Sequence, residues 1–343
     1  MNFYSKKNPL LTKEKVKSRY QDTEAIGVFN PAATQFEDET VLLVRIAERV
    51  KENGGRVGVP MIEKGAYVVK YFSPSDPNYD FSDARVVKGK NGKYLTSMSY
   101  LAVARSKDGE NFILDENCGI FPETEYEAYG VEDARISVID GKYYITYTAV
   151  SDLGICVALA TTKDFKTFEK KGVLLTPDNK DVAFFPEKMG GKYYMLHRPS
   201  TSEFGKPEAW LAQSSDMLEW GRHVRVLGVR KDRWDSERLG VCSAPIKTED
   251  GWLTLYHGAD KNNRYCVGAI LLDRNDPSKV LKRSAKPFLE PINDYEQNGF
   301  FGGVVFPCGA VKNGDSLWIY YGAADDKVCL VKTPIKDILD TLV

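Results

Sequence analysis

The groups in this chain that are able to do chemistry are few, and they differ in kind. In the stretch GVEDARI, Gly130 to Ile136, two adjacent acids (Glu132, Asp133) and a guanidinium (Arg135) stand at the mouth of a strand-like run. Further along come Lys180 in DNKDV, His197 and Arg198 in YYMLHRP, Arg238 in DSERLG and His257 in WLTLYHG. Asn30 in FNPAA, Arg45 in VLLVRIAE and Asp325 in YYGAAD complete the set. A carboxyl gives or takes a proton. Cations and imidazoles gathered in one place are costly unless an anion balances them, and the planar arginine fork matches phosphate oxygens. One outlying carboxyl and a cationic cluster together would make a proton donor facing an anion pocket.

Each group also has a plainer reading. Glu132 and Arg135 fit a surface salt bridge in a turn as well as they fit a site. His197 or His257 taken singly reads as a hydrogen-bonded structural histidine. The tyrosines of KYYITY and KYYML read as core aromatics with wet hydroxyls. Coincidence shifts the balance, because Asp133, Lys180, Arg198, Arg238, His257 and Asp325 recur at matching ends of a repeated unit.

That unit is what must position them. Five segments share one design of apolar strand, polar turn and aromatic-rich strand, beginning at Phe29, Val131, Phe184, Cys242 and Val305. Their turns carry the Gly, Asn and Asp that hairpins need. A third strand follows each: YLAVARS, ICVALAT, AWLAQSS, YCVGAIL and VCLVKTP. Three of these lead into related tails, SKDGENF, TKDFKTF and SSDMLEW, which begin 56 and 52 residues apart. A period of about 50 to 60 residues with three or four antiparallel strands per unit is that of propeller blades. The spacing predicts an all-β fold, a single five-bladed β-propeller over residues 1–343. A β-sandwich would explain the strands but not the repeated order of motifs. Residues 1–29 are expected to pack beside the last unit and help close the ring, and 335–343 to form a short helical tail.

Propeller strands that open each unit converge on a central channel. Four units have proline near that opening (Pro31, Pro186, Pro245, Pro307), where a strand can start without an amide donor. In the second unit Asp133 is expected to take the proline's place. Lys180 and Arg238 are expected just ahead of the third and fourth opening strands, and His197 and His257 at equivalent places. Tyr100, Tyr126, Tyr129, Trp234, Phe300 and Phe301 lie between units, either as a sugar platform or as loop packing.

The bulk properties restrict the partners. The chain has 343 residues, 43% of them hydrophobic, enough to bury a large core. A net charge of -1 gives no general attraction to nucleic acid or an anionic membrane. No apolar run approaches about 18 residues, and no secretory leader is visible at the start. Six scattered cysteines, without a CxxC, predict neither disulfides nor a metal site. The expected setting is cytoplasmic, with no nucleic-acid or membrane partner; a homo-oligomer is left open.

The longer motifs VEDARI, NKDVAFFPEKMGGKYYMLHRP, APIKTEDGWLTLYHGA and YEQNGFFGGVVFPCGAV followed by YYGAAD resemble the mannoside phosphorylases of glycoside hydrolase family 130. The likeness runs from about Ile26 to Asp325. EAIGVFNPAATQF, YLTSMSYLAVARSKDG and WDSERLG are most similar to members acting on β-1,2-mannobiose. The resemblance implies a five-bladed propeller. It also implies reversible, inverting phosphorolysis of a β-mannoside to α-mannose 1-phosphate, with inorganic phosphate as co-substrate and no cofactor or metal. By the same resemblance Asp133 is the catalytic acid. Lys180, Arg198, Arg238 and His257 bind phosphate, and Asn30, Arg45 and Asp325 hold the mannose. The acid is implied to reach the glycosidic oxygen through the mannose 3-hydroxyl. Many members have lysine where Arg238 stands here, so the charge is kept.

The residues make sense of that chemistry. An inverting hydrolase needs an acid and a base, about 6.5–9.5 Å apart. A phosphorylase needs only the acid, because phosphate is already an anionic nucleophile. A phosphorylase for another linkage, such as β-1,4-mannosyl-glucose, and a β-mannoside hydrolase on the same scaffold are the alternatives among enzymes. Loops near 50–66, 120–130 and 200–208 would decide the acceptor. A non-catalytic carbohydrate-binding propeller would have no reason to gather four cations and an acid.

Overall fold

The computed structural model describes residues 2–90, 92–200 and 203–343. It is all-β, and each of the five sequence units becomes an antiparallel set of four strands. The first is Thr23–Phe36, Glu39–Val50, Ser97–Ser106 and Ile113–Ile120; the second is Gly130–Ile139, Lys142–Ser151, Gly154–Thr162 and Glu169–Leu175. The third is Asn179–Phe184, Tyr193–Pro199, Ala209–Ser214 and Trp220–Leu227. The fourth opens with Arg238–Val241, continued by Ile246–Lys247, and adds Trp252–Ala259, Tyr265–Leu272 and Val280–Arg283. The fifth has Val305–Asn313, Ser316–Ala323 and Lys327–Pro334, and its fourth strand is Phe3–Tyr4 from the other end of the chain.

The middle strands read as apolar runs rather than alternations because both their faces are covered. Neighbouring units share cores. Val157 and Leu159 of the second pack with Val182 and Met195 of the third, and Leu196 and Leu211 of the third with Leu239 and Trp252 of the fourth. Leu253 and Val267 pack with Ile319 and Val331 of the fifth. The fifth unit's Tyr320 and Leu330 lie in one cluster with Leu42 and Val103 of the first and Ile145 of the second. The first two units also touch through one backbone pair, Gly130 with Ser99. Gly130 has φ 117°, and a Cβ there would stand 2.4 Å from the Ser99 carbonyl oxygen, so only glycine permits the approach.

Two features break the repeat. The first unit carries an insertion between its second and third strands: a hairpin, Val57–Glu63 with Ala66–Phe72, and a small sheet, Tyr79–Asp83, Val86–Gly89 and Gly92–Leu95. Val59, Met61, Phe72 and Val87 of this insertion pack against Ala128, Tyr129 and Val150, where the second unit begins. The second feature is a two-residue bulge in the opening strands of the first three units, and it corrects the sequence alignment on proline. Two residues face one across the first three units: Asn30-Pro31, Asp133-Ala134 and Asp181-Val182. Asp133 therefore matches Asn30 and Asp181, not a proline; Pro31 matches Ala134, and Pro186 lies beyond its strand. The first bulge residue is left-handed in all three (φ 48°, 46° and 55°), a conformation asparagine and aspartate tolerate best among non-glycine residues. Lys180 and Arg238 lie within their opening strands rather than ahead of them.

No helix among the described residues is long and apolar enough to cross a membrane. A helical turn at Ile335–Leu339 ends the chain. The Phe3–Tyr4 strand pairs with Lys332 and Val331, and the segment after it is anchored on the same strand by Leu11, 1% exposed and bridged to Val328. Leu11→Ala should cost about 2–5 kcal/mol of unfolding free energy, read as a lower urea midpoint. Lys6→Ala, at an exposed neighbour, should stay within about 0.5 kcal/mol.

Candidate active site

The bulges turn their first side chains away from the sheet cores and toward one small cavity. It encloses about 200 Å³, room for roughly six or seven waters. Seven of the eight residues singled out in the sequence line it: Asn30, Arg45, Asp133, Lys180, Arg198, Arg238 and Asp325. His257 does not; it lies fully buried behind Arg198.

Asp133 is 7% exposed. Its Oδ1 accepts from Asn30 Nδ2 at 3.0 Å and from Arg45 Nη1 at 3.2 Å. The Arg45 fork also donates from Nη2 to Glu132 at 2.7 Å and from Nε to Ser99 Oγ at 3.0 Å, and its plane lies 4.8 Å from the Phe29 ring centre. Burial pushes the Asp133 carboxyl up, but Arg45, Lys180 and Arg135, with the Asn30 amide, outweigh it and hold it below the usual aspartate value. Asp325 goes the other way. Burial, reinforced by Asp133 and Glu132 and opposed by Arg45 and Arg85, pushes it up to about 7. Of the two carboxyls, Asp325 is therefore the one that holds a proton more readily.

Beneath the cavity is a layer of buried charge. Arg135, 1% exposed, donates from Nη1 to the Asp133 carbonyl at 2.8 Å and from Nη2 to the Val241 carbonyl at 3.0 Å. Neither it nor Glu132 is the surface salt bridge that the turn reading allowed. Asp181 sits between Arg135 (3.0 Å) and Arg198 (2.7 Å). His257 Nε2 is 3.3 Å from Arg198 Nη1, and burial lowers the ring to about 3, so it is neutral and able to accept there. His197 is not its equivalent. It pairs with Asn179 and His223 away from the cavity, and burial keeps it uncharged, at about 3.

Sequence reasoning missed Asp181, Arg85, Tyr265 and Phe306. Asp181 had a signal, since it repeats the Asn/Asp of the other two bulges. Arg85 had none: it comes from the insertion, where Asp83 grips it through two bonds of 3.0 and 2.8 Å and its guanidinium lies 5.6 Å from the Phe301 ring. Arg238 donates to the Tyr265 hydroxyl and the Asn263 side-chain oxygen, both at 3.1 Å. Of the six aromatics considered for a sugar platform, Phe301 alone lines the cavity. Tyr100 is buried on Glu48, Tyr129 on Asp152, and Trp234 stacks on Tyr256. Among the described residues, no group of three or more His, Cys, Asp or Glu is placed to hold a metal.

An all-β scaffold that presents three carboxyls, four arginines and a lysine to one small cavity suits a carbohydrate-active enzyme with an anionic substrate. The chain is a member of glycoside hydrolase family 130: the family model, described as β-1,4-mannooligosaccharide phosphorylase, matches residues 79–343. It is 46% identical over 350 aligned positions to the β-1,2-mannobiose phosphorylase of Listeria innocua serovar 6a, covering 100% of this chain and 99% of that one. A structure of β-1,2-mannobiose phosphorylase from Listeria innocua in complex with β-1,2-mannobiose superimposes with a TM-score of 0.96 over 99% of this chain and 98% of that one. The β-1,4-mannooligosaccharide phosphorylase of Ruminococcus albus is 33% identical, over 68% of this chain and 73% of its own.

Arg135→Leu should cost about 3–5 kcal/mol, because it leaves the buried Asp181 carboxylate to Arg198 alone and strands two main-chain oxygens. Chemical denaturation measures it.

Proposed function

We propose that this protein is an inverting phosphorylase of β-1,2-mannobiose and short β-1,2-mannosides, releasing α-mannose 1-phosphate and mannose or a shortened chain. The observation that carries the reading is the convergence of Lys180, Arg198 and Arg238 on the cavity that also holds the buried carboxyl of Asp133. The identity to a Listeria innocua β-1,2-mannobiose phosphorylase along the whole chain supports the linkage. We take the five units as blades of one propeller domain, closed by the N-terminal strand. Its support is the succession of shared cores, the fifth with the first included.

In this mechanism Lys180, Arg198 and Arg238 hold a phosphate dianion, with His257 fixing Arg198 from behind. Asn30, Arg45 and Asp325 hold the mannose. A phosphate oxygen attacks the anomeric carbon from the face opposite the leaving sugar. The anomeric bond to the leaving oxygen breaks, its electron pair stays on that oxygen, and the proton of Asp133 follows. The proton still carried by the transferred phosphate restores the acid. No base is needed, and Glu132 is occupied by Arg45.

Asp133 must be protonated to act, yet the ligand-free cavity holds it ionised. Phosphate corrects this, because a dianion beside Lys180 cancels the field that depresses the carboxyl and adds its own repulsion. The acid is therefore made by binding the nucleophile. The sign is testable. The alkaline limb of kcat, which reports the filled site, should lie at higher pH than that of kcat/KM for phosphate, which reports the site before phosphate binds. Equal limbs would contradict the coupling.

The reaction itself is checked by incubating the protein with β-1,2-mannobiose, with and without phosphate. Mannose 1-phosphate should form only with phosphate; free mannose alone, made without phosphate, would establish a hydrolase instead. Asp133→Asn should lower kcat by about 10²–10⁴-fold with an unchanged fold, since Asn30 already occupies the same bulge position. Substantial turnover by that variant would remove Asp133 from the acid's role.

A further inference from the structure

Asp181 has no part in the reaction as drawn above, yet few side chains in the molecule are held from so many sides. Its carboxylate is 1% exposed. Oδ1 lies 3.0 Å from Arg135 Nη2; Oδ2 lies 2.7 Å from Arg198 Nη1 and 3.4 Å from His257 Nε2. Arg135 in turn grips the main-chain oxygen of Asp133 at 2.8 Å. The fourth unit leaves room for this carboxylate: a Cβ at Gly240 would stand 2.2 Å from Asp181 Oδ2. Against the pull of burial, Arg198 and then Arg135 and Lys180 hold Asp181 well below the usual aspartate value, so it is an anion near neutrality.

We propose that Asp181 is the positioning residue of the anion pocket, locking the Arg198 guanidinium in the cavity wall and, through Arg135, fixing the backbone that aims Asp133. The inference rests on reading Arg198 as a phosphate ligand. The geometry explains why a carboxylate is used. Arg198 and Arg135 converge on the same point, and two guanidiniums do so only with a counterion between them. The Nε of Arg198 and the Oδ2 of Asp181 are both buried without a hydrogen-bond partner, so the 2.7 Å ion pair between the two side chains and the contact with His257 are what orient the guanidinium. Phosphate takes the cavity side of a group whose other side is already held, and so does not have to order it on arrival. Without Asp181, Arg198 is drawn toward open solvent and phosphate must order it again. The mannoside, held by Asn30, Arg45 and Asp325, does not feel that loss.

A second consequence concerns the acid. Asp133 faces Arg45 from the first unit, Lys180 from the third and Arg135 from its own strand, with Glu132 and Asp325 opposing them. Removing the Asp181 charge leaves Arg135 and Lys180 less compensated. They then depress Asp133 further, and the protonated acid is lost at lower pH.

The test is Asp181→Asn in the full chain, with separate KM values for inorganic phosphate and β-1,2-mannobiose. Loss of this close buried charge pair should raise phosphate KM about ten-fold or more while mannobiose KM stays within about two-fold. The alkaline limb of kcat should move to lower pH. The rise in melting temperature caused by inorganic phosphate should shrink. Gly240→Ala, which removes no charge but pushes the carboxylate aside, should give the same split and serves where Asp181→Asn does not fold. An unchanged phosphate KM in either folded variant overturns the proposal, as does an equal rise of both KM values with an unmoved pH profile. A wild-type protein whose turnover and melting ignore phosphate would overturn the phosphate reading itself; a phosphate-dependent wild type with indifferent variants overturns only the role of Asp181.

Discussion

The site depends on a backbone constraint repeated in the first three units: a two-residue bulge whose first residue is left-handed. In a regular strand side chains alternate between faces, and a polar group at this position would be carried toward a neighbouring unit's core. The bulge breaks the alternation once. It turns Asn30, Asp133 and Asp181 inward while leaving the residues on either side in register with the core. The left-handed region costs most residues about 1–2 kcal/mol and asparagine or aspartate less. Chain geometry and chemistry therefore ask for the same residue types. That coincidence explains how one scaffold supplies a sugar-facing amide, an acid and a buried counterion from three copies of one position.

Charge completes what the bulges begin. Arg45, Arg85, Lys180, Arg198 and Arg238 face the cavity against Glu132, Asp133 and Asp325, and Asp325 gives up much of its charge near neutrality. The layer beneath is closer to balance, with Asp181 against Arg135 and Arg198 and with His257 neutral. The surplus therefore lies where a ligand enters, not in the core. A cavity with too many cations is poorly satisfied when empty and is satisfied by a dianion. That same surplus is what holds the Asp133 carboxyl below the usual aspartate value. On the proposed reading, binding phosphate and protonating Asp133 are one electrostatic event seen from two residues.

The sequence was most legible where it repeats. Hairpin turns and apolar runs recur in all five units, so strand order within a unit and the gathering of Asp133, Lys180, Arg198, Arg238 and Asp325 followed from pattern, whereas Asn30 and Arg45 came from the family resemblance. Alignment on proline misled, because proline marks where an amide is free of the ladder whereas the bulge is defined by backbone twist. Aligned on the bulge, Asp181 falls beside Asp133 and Asn30. His257 was placed in the right neighbourhood but one layer too far forward. Strand periodicity assigns a face, while depth depends on the neighbouring Arg198, which fills the wall in front of it. Glu132 and Arg135 looked like a turn's surface ions because local sequence contains nothing of the third unit's Asp181 or the first unit's Arg45, their partners.

What the repeat does not encode is the mouth of the cavity. Arg85 and Phe301 come from segments with no counterpart in other units, one from the insertion and one from the approach to the fifth opening strand. The insertion's hairpin begins ahead of residue 79, where the family match starts, whereas the likeness to the Listeria enzyme spans the entire chain. The division has a physical basis. Side chains on opening strands are constrained by every neighbouring unit at once, so the acid and the anion pocket are held by the common scaffold. The insertion is held by Ala128, Tyr129 and Val150 and by Tyr67, which stacks on Tyr20 and donates to Asp22; among its described residues Arg85 lines the cavity, from a turn between two short strands. That turn can change in length or charge without disturbing the opening strands that hold Asp133 and Lys180.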